Sequence, residues 1–138
     1  MSSMHATRSM RYLIDTSSLS RAIRDDSSRL RRVVLHLGID QIVVSVMSLF
    51  EIEYGLQRRR IARAAAIRTL LAQFQSVDFD RADAVTAGAL RARLDSAGLS
   101  IGIIDTMLAA QALARGLTVI THNVKDFARI DELRVLEL

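Results

Sequence analysis

Three short apolar runs constrain this chain most: Tyr12-Leu13-Ile14, Ile42-Val43-Val44 and Leu117-Thr118-Val119-Ile120. Their apolar residues are consecutive rather than alternating, the pattern of a strand covered on both faces. Helical patterns fill the stretches between them. Strands alternating with helices define an α/β layer fold, a central parallel sheet of four to five strands with helices on both faces. Ser76-Val77-Asp78 is a weaker strand candidate, and Arg134-Val135-Leu136 is expected as a last edge strand. Helices are expected over residues 17–24, 28–37, 46–57, 61–74, 80–97 and 104–115. Gly38, Gly98 and Gly116 stop three of them, and Asp80 with Asp83 has capping-box spacing.

Nothing in the sequence marks a linker, because proline is absent and glycine rare. Residues 11–138 therefore read as one domain, and the polar, aperiodic residues 1–10 as an extension expected to be disordered. Half of the residues are hydrophobic, enough for a sizeable core and too many for a disordered chain. Aromatics at 4% argue against an RNA surface built on stacked rings. The lack of cysteine removes disulfides and thiolate zinc sites and fits a reducing, cytoplasmic setting. No apolar run approaches the roughly 18 residues of a membrane span.

The net charge of +4 is carried almost entirely by arginine, whose planar fork suits phosphate. Against this basic background three acids stand in separate segments. Asp15 follows the first strand and precedes Thr16-Ser17-Ser18, at the carboxyl end where α/β folds place their sites. Glu51 shares a helix face with Ser48 and Gly55, small neighbours that suit a pocket wall. Asp105 falls near a helix N-terminus, where the dipole favours a carboxylate, with Ala109 and Ala112 continuing its stripe. Taken singly, each has an ordinary explanation: a helix cap, a solvated glutamate, a first-turn aspartate. Glu53 lies about 160° round the helix from Glu51 and is expected to be structural. Asn123 and Asp126 follow the last core strand, Asn123 as a candidate oxygen donor or water orienter and Asp126 as a local cap. His122 is read as structural ahead of a phosphate contact. Carboxylates that hold a hard cation, flanked by arginines that attract a polyanion, are what a metal-dependent phosphodiesterase needs.

Four segments carry a resemblance. They are Tyr-Leu-Ile-Asp-Thr-Ser-Ser-Leu-Ser from Tyr12, Ser-Val-Met-Ser-Leu-Phe-Glu-Ile-Glu-Tyr-Gly-Leu from Ser45, Ile-Gly-Ile-Ile-Asp-Thr-Met-Leu-Ala-Ala-Gln-Ala-Leu from Ile101, and Val-Ile-Thr-His-Asn-Val-Lys-Asp-Phe from Val119. In order and spacing they resemble PIN-domain proteins, and more narrowly the VapC-type toxin ribonucleases of toxin–antitoxin pairs. The resemblance implies a PIN-like three-layer sandwich with acids converging at the carboxyl edge of the sheet. It implies Asp15, Glu51 and Asp105 as core acids that bind Mg²⁺, with Mn²⁺ as substitute. It further implies an RNA substrate cut to 5′-phosphate and 3′-hydroxyl ends, a cognate antitoxin and a homodimer. Asn123 stands where many members carry a fourth aspartate, which leaves open whether one metal or two bind. Ser17 stands where asparagine is frequent, and Ile103-Ile104 replaces a segment that often contains proline.

On this basis Asp15, Glu51, Asp105 and Asn123 are the expected catalytic residues, the first three as metal ligands. Thr16, Ser17 and Arg21 are the expected substrate contacts, with Arg24 beside them. Two arginine groups, Arg58-Arg59-Arg60 with Arg63 and Arg68, and Arg29 with Arg31 and Arg32, are candidate RNA guides or simply solvated faces. The apolar residues Phe50, Tyr54, Ile61, Ile67, Leu70 and Leu71 exceed what one helical face needs and point to a dimer surface. A non-catalytic PIN-like module that binds RNA or protein is the competing function. A receiver-type domain is disfavoured, because its paired acids after the first strand and its lysine directly after the last core strand are missing.

Overall fold

The computed structural model describes residues 10–25 and 27–138. Five strands form one parallel sheet: β1 (Tyr12–Ile14), β2 (Ile42–Ser45), β3 (Gln75–Val77), β4 (Thr118–Thr121) and β5 (Val135–Glu137). Their order is β3-β2-β1-β4-β5, with every neighbour pair parallel. Seven helices connect them: α1 (Thr16–Arg24), α2 (Ser28–Leu37), α3 (Val46–Arg58), α4 (Ala64–Leu71), α5 (Arg81–Ser96), α6 (Ile103–Arg115) and α7 (Val124–Phe127). A single 3₁₀ turn, Ile39–Gln41, leads into β2.

The consecutive apolar residues of the strands divide between two cores, as the two-residue period of a strand requires. Leu13, Val43 and Val119 point to the face covered by α5 and α6, where Leu90, Leu94, Leu108 and Ala112 pack. Ile14, Val44 and Ile120 point to the other face and meet Leu19 of α1, Leu30 of α2, Ile52 and Leu56 of α3, and Ile67 and Leu71 of α4. The three-layer α/β sandwich expected from the sequence is thus the observed fold.

The chain leaves β1 to build β2 and β3 on one side, then returns to build β4 and β5 on the other. The crevice outside the carboxyl ends of β1 and β4 is therefore the topological switch point, the position of ligand sites in open α/β sheets. Asp15 follows β1 directly, and Thr121 closes β4.

α5 and α6 form the outer layer on their side, and a buried ion pair joins them. Asp83 is 1% exposed, and Arg115 grips both its oxygens at 2.6 and 2.9 Å. Asp83 also completes the capping box with Asp80. Hydrogen bonding to Arg115 holds the Asp83 carboxyl below its ordinary range. Beyond Arg115, Gly116 takes φ +65°, a left-handed conformation that glycine adopts without Cβ strain, and turns the chain into β4.

Local differences from the sequence-based expectation have simple causes. The helix expected over 61–74 shrinks to Ala64–Leu71, because the chain turns at Arg60, which has φ +50°. The four-residue α7 is too short to show a period in sequence. Of the apolar residues expected at a dimer surface, Ile67 and Leu71 are buried in the core, while Phe50 and Tyr54 are 65% and 61% exposed. The expected N-terminal extension lies outside the described residues except for Met10, whose N–H donates to Asp40 O at 3.2 Å. No helix among the described residues is long and apolar enough to cross a membrane.

Arg115→Ala would leave Asp83 buried and unpaired and should cost about 3 kcal/mol, read as a lower urea midpoint at pH 7. Because the folded carboxyl sits below its unfolded value, its contribution is present above that value and is lost as pH falls through the folded one. The gap between wild type and variant should therefore narrow on acidification below about pH 4.

Candidate active site

Asp15 begins where β1 ends. Its backbone is extended, and its side chain caps α1 by accepting from Ser18 N at 3.1 Å. Its other oxygen accepts from Thr121 Oγ1 at 2.8 Å and from Ser17 Oγ at 3.3 Å. The residue is fully buried. One carboxylate thus caps a helix and bridges the two strands of the switch point. Among the described residues Oδ1 accepts only the Ser18 N–H, which leaves it a lone pair.

Glu51 lies on α3, reached from β2 through Ser45, whose hydroxyl accepts from Met47 N at 3.0 Å. One turn before Glu51, buried Ser48 shares a hydrogen bond of 2.6 Å with Thr16 and fixes α3 against α1. Asp105 lies in the first turn of α6, whose N-cap is Gly102. Glu51 and Asp105 line one open cleft with Thr16, Ser17, Ser20 and Arg24.

The electrostatics tie these segments together. The Asp105 carboxyl is pushed up to about 6, first by burial and then by the negative charges of Asp15, Asp126 and Glu51. The charges of three carboxylates from three other segments are therefore felt at Asp105. Among the described residues no group of three or more acidic or histidine side chains is close enough together to hold a metal ion. The arrangement is open and made of oxygen.

Asn123 precedes α7 and does not cap it; its side-chain N–H donates to Asp126 Oδ2 at 2.8 Å. Its backbone N–H donates to Thr121 Oγ1, also at 2.8 Å. Asp126, expected as a local cap, belongs to the acidic group. The sequence signal that could have found it is its position one turn beyond a strand end. His122 is bonded to Ser18, with Nδ1 2.7 Å from Oγ and its backbone N–H donating to Oγ at 2.9 Å, the expected structural role. Glu53 is likewise structural, paired with Arg68 at 2.7 Å. That pairing takes Arg68 out of the free arginine group. Of the two arginines on α1, Arg24 borders the acidic cleft, whereas Arg21 lines a separate hollow with Ser18, Asp25, Arg29 and His122.

Strand order, acids at the switch point and motif order together define a class of protein. A PIN-domain family model matches residues 12–133, and the chain belongs to the PIN-domain family. Within it, the relatives are of VapC type. The tRNA(fMet)-specific endonuclease VapC of Salmonella typhimurium is 27% identical over 128 residues, covering 91% of this chain and 96% of the relative. Ribonuclease VapC1 of Rickettsia felis is 31% identical over 132 residues, covering 92% and 96%. Among solved structures, DNA-bound VapBC of Salmonella typhimurium matches with TM-score 0.84 at 26% identity, covering 93% of this chain and 98% of the other. VapBC2 of Rickettsia felis bound to a promoter DNA fragment gives 0.83 at 27%, covering 94% and 99%.

The folded chain holds the Asp105 proton more tightly than the unfolded chain does. The contribution of Asp105 to stability is therefore fully present below the ordinary value of 3.8 and is lost as pH rises through about 6. Asp105→Asn removes this repulsion. Without divalent cations it should unfold at the wild-type temperature near pH 4 and above it at pH 7. The gain at pH 7 is about 1 kcal/mol once solvent screening of a half-buried group is allowed for. Scanning calorimetry in EDTA at the two pH values measures it.

Proposed function

We propose that this chain is a Mg²⁺-dependent endoribonuclease and the toxin of a cytoplasmic toxin–antitoxin pair, with Mn²⁺ as a substitute cation. The observation that carries this reading is the crowding of Asp15, Glu51 and Asp105 at the switch point, expressed in the raised Asp105 carboxyl. The names of the relatives, endonuclease and ribonuclease, support the same activity.

The residues fit a hard cation. All the donors are oxygens, and Glu51 and Asp105 line an open cleft, which suits Mg²⁺, an ion that keeps several waters and needs only two or three carboxylates. A closed set of nitrogen and sulfur donors, the preference of zinc, is not what these segments offer. Asp105 and Oδ1 of Asp15 would hold the ion, with Glu51 across the cleft completing the site or orienting the attacking water. When bound, the cation supplies Lewis acidity toward the phosphate and lowers the pKa of water. The Ser17 hydroxyl, exposed beside Asp15, and the Arg24 guanidinium are placed to hold phosphate oxygens. The Thr16 hydroxyl is engaged with Ser48 and contributes through the position of α1. Arg21 is a weaker candidate for substrate contact than Arg24, because a different hollow takes it. The relative specific for tRNA(fMet) makes structured RNA the first substrate class to try.

The related VapBC structures support an antitoxin partner. A groove floored by Ile23, Ile52, Leu56, Ile61 and Ile67 and rimmed by Arg24, Arg59 and Arg63 fits an apolar helix with an acidic flank. The groove shares Ser20, Arg24 and Glu51 with the acidic cleft, so an occupant would reach the site. Phe50 and Tyr54, exposed one turn apart on α3, suit a homodimer contact. Phe50→Asp should shift a dimer toward monomer in sedimentation at micromolar concentration.

The test of activity is cleavage of total RNA by the purified chain in Mg²⁺, in Mn²⁺ and in EDTA, beside Asp105→Asn. Discrete fragments lost both in EDTA and in the variant are the expected result. Asp15→Ala is the poorer control, because it removes a helix cap and a buried bond to Thr121 and should cost about 1–3 kcal/mol of stability. Full activity in Asp105→Asn would overturn the reading. No cleavage by the folded wild type would favour a binding module instead.

A further inference from the structure

α1 separates two depressions. It gives one stripe, Ser17, Ser20 and Arg24, to the acidic cleft, and the neighbouring stripe, Ser18, Arg21 and Asp25, to a second hollow of about 270 Å³. The two stripes lie one residue apart, about 100° round the helix. Arg29 of α2 and His122 beyond β4 also line the hollow, and Leu138, packed on the core, completes it.

The cations of this hollow are unpaired. Arg21 and Arg29 are exposed, and neither guanidinium bonds to any described residue. Asp25, the acid on the same wall, has Arg24 Nε 3.5 Å from its Oδ1, which offsets its charge. His122 adds a donor of defined direction. Its backbone N–H donates to Ser18 Oγ at 2.9 Å, and Oγ lies 2.7 Å from Nδ1. Ser18 is 1% exposed, and Nδ1 is the acceptor in reach of its hydroxyl among the described residues, so the hydroxyl donates there. The ring hydrogen then sits on Nε2, which has no partner among the described residues. One ring nitrogen serves the structure and the other is left to donate.

Ser18 also ties the hollow to the acids. Its backbone N–H holds Asp15 Oδ1 at 3.1 Å while its side chain holds His122. Two guanidinium forks and an imidazole N–H suit phosphate oxygens, which only accept. Phosphates recur along a nucleic-acid strand, so a strand with one phosphate at the acids carries others past α1.

We propose that the hollow of Arg21, Arg29 and His122 is a second phosphate subsite, which holds an RNA backbone phosphate flanking the one at the acidic edge. The inference rests on the ribonuclease reading above. On this view Arg24 faces the reacting phosphate, Arg21 faces its neighbour, and α1 is the ridge that the strand crosses.

The test is fluorescence anisotropy of a labelled single-stranded oligoribonucleotide with the full chain in EDTA, between about 50 and 200 mM KCl. Wild type is compared with Arg21→Ala plus Arg29→Ala, with His122→Asn, and with Arg81→Ala plus Arg91→Ala, which removes the same charge from α5. The Arg21 and Arg29 pair should bind about tenfold more weakly, and its slope of log affinity against log salt should be shallower by about 0.7, one phosphate of a single strand. The α5 pair should stay close to wild type. The amide oxygen of His122→Asn can still accept from Ser18. That variant should therefore keep the wild-type unfolding temperature and bind about fivefold more weakly, a loss that a merely structural role would not produce. Wild-type affinity and slope in the Arg21 and Arg29 pair, with RNA still cut by the wild type in Mg²⁺, would overturn this inference, leave the proposed function standing and give the hollow to an acidic protein segment. An equal loss in the α5 pair would overturn the subsite as well, since net charge alone would then explain the effect. A wild-type chain that neither binds nor cuts RNA would overturn both readings together.

Discussion

The bond between Asp15 and Thr121 is the contact on which the acidic edge depends. It spans the gap where the sheet reverses direction, between the ends of β1 and β4. At these ends the backbone bond from Asp15 N–H to Ile120 O at 3.0 Å is joined by the side-chain bond to Thr121, which the carboxylate makes while capping α1. α1 is in turn held to α3 through Thr16 and Ser48, and Asp15 reaches α7 through Thr121 and Asn123. The elements that carry Asp15, Glu51 and Asp126 are therefore oriented by bonds that radiate from one buried residue.

This edge is costly to fold. A carboxyl pushed up to about 6 by burial and like charge marks a place where the folded chain is less comfortable than the unfolded one at neutral pH. Stability is recovered elsewhere. Two apolar layers cover the sheet, and the Asp83–Arg115 pair binds α5 to α6 at the end of α6 remote from Asp105. Such a division, strain at the site and surplus in the scaffold, is common where function requires an arrangement that folding alone would avoid.

The strands were legible because burial on both faces writes consecutive apolar residues into the sequence, and Leu13 and Ile14 do point to opposite cores. Gly38, Gly116 and the Asp80–Asp83 box marked real helix ends, since each acts through local geometry. Positions set by tertiary contact were harder to read. Arg21 and Arg24 are nearly alike in sequence, yet only Arg24 reaches the acidic cleft, because its neighbours come from other elements. Asp126 read as a cap because its link to Asp105 runs through space. Phe50 and Ile67 had equal claim to a surface, and only the packing of α4 separated the exposed one from the buried one.

One further consequence follows from the build of α6. Asp105 and Arg115 are ten residues apart on one helix, about 15 Å along its axis. The helix is a lever with its fulcrum in the alanine-rich middle, where Ala109 and Ala112 are fully buried in the core that includes Leu13, Val43 and Val119 of the sheet. A tilt of a few degrees about that point would carry Asp105 by about half an ångström, where a misplacement of about 1 Å in a positioned reaction is worth roughly a hundredfold in rate. Changes to Asp80, Asp83 or Arg115, far from the cleft, would thereby reach its geometry through a rigid body rather than through a chain of contacts.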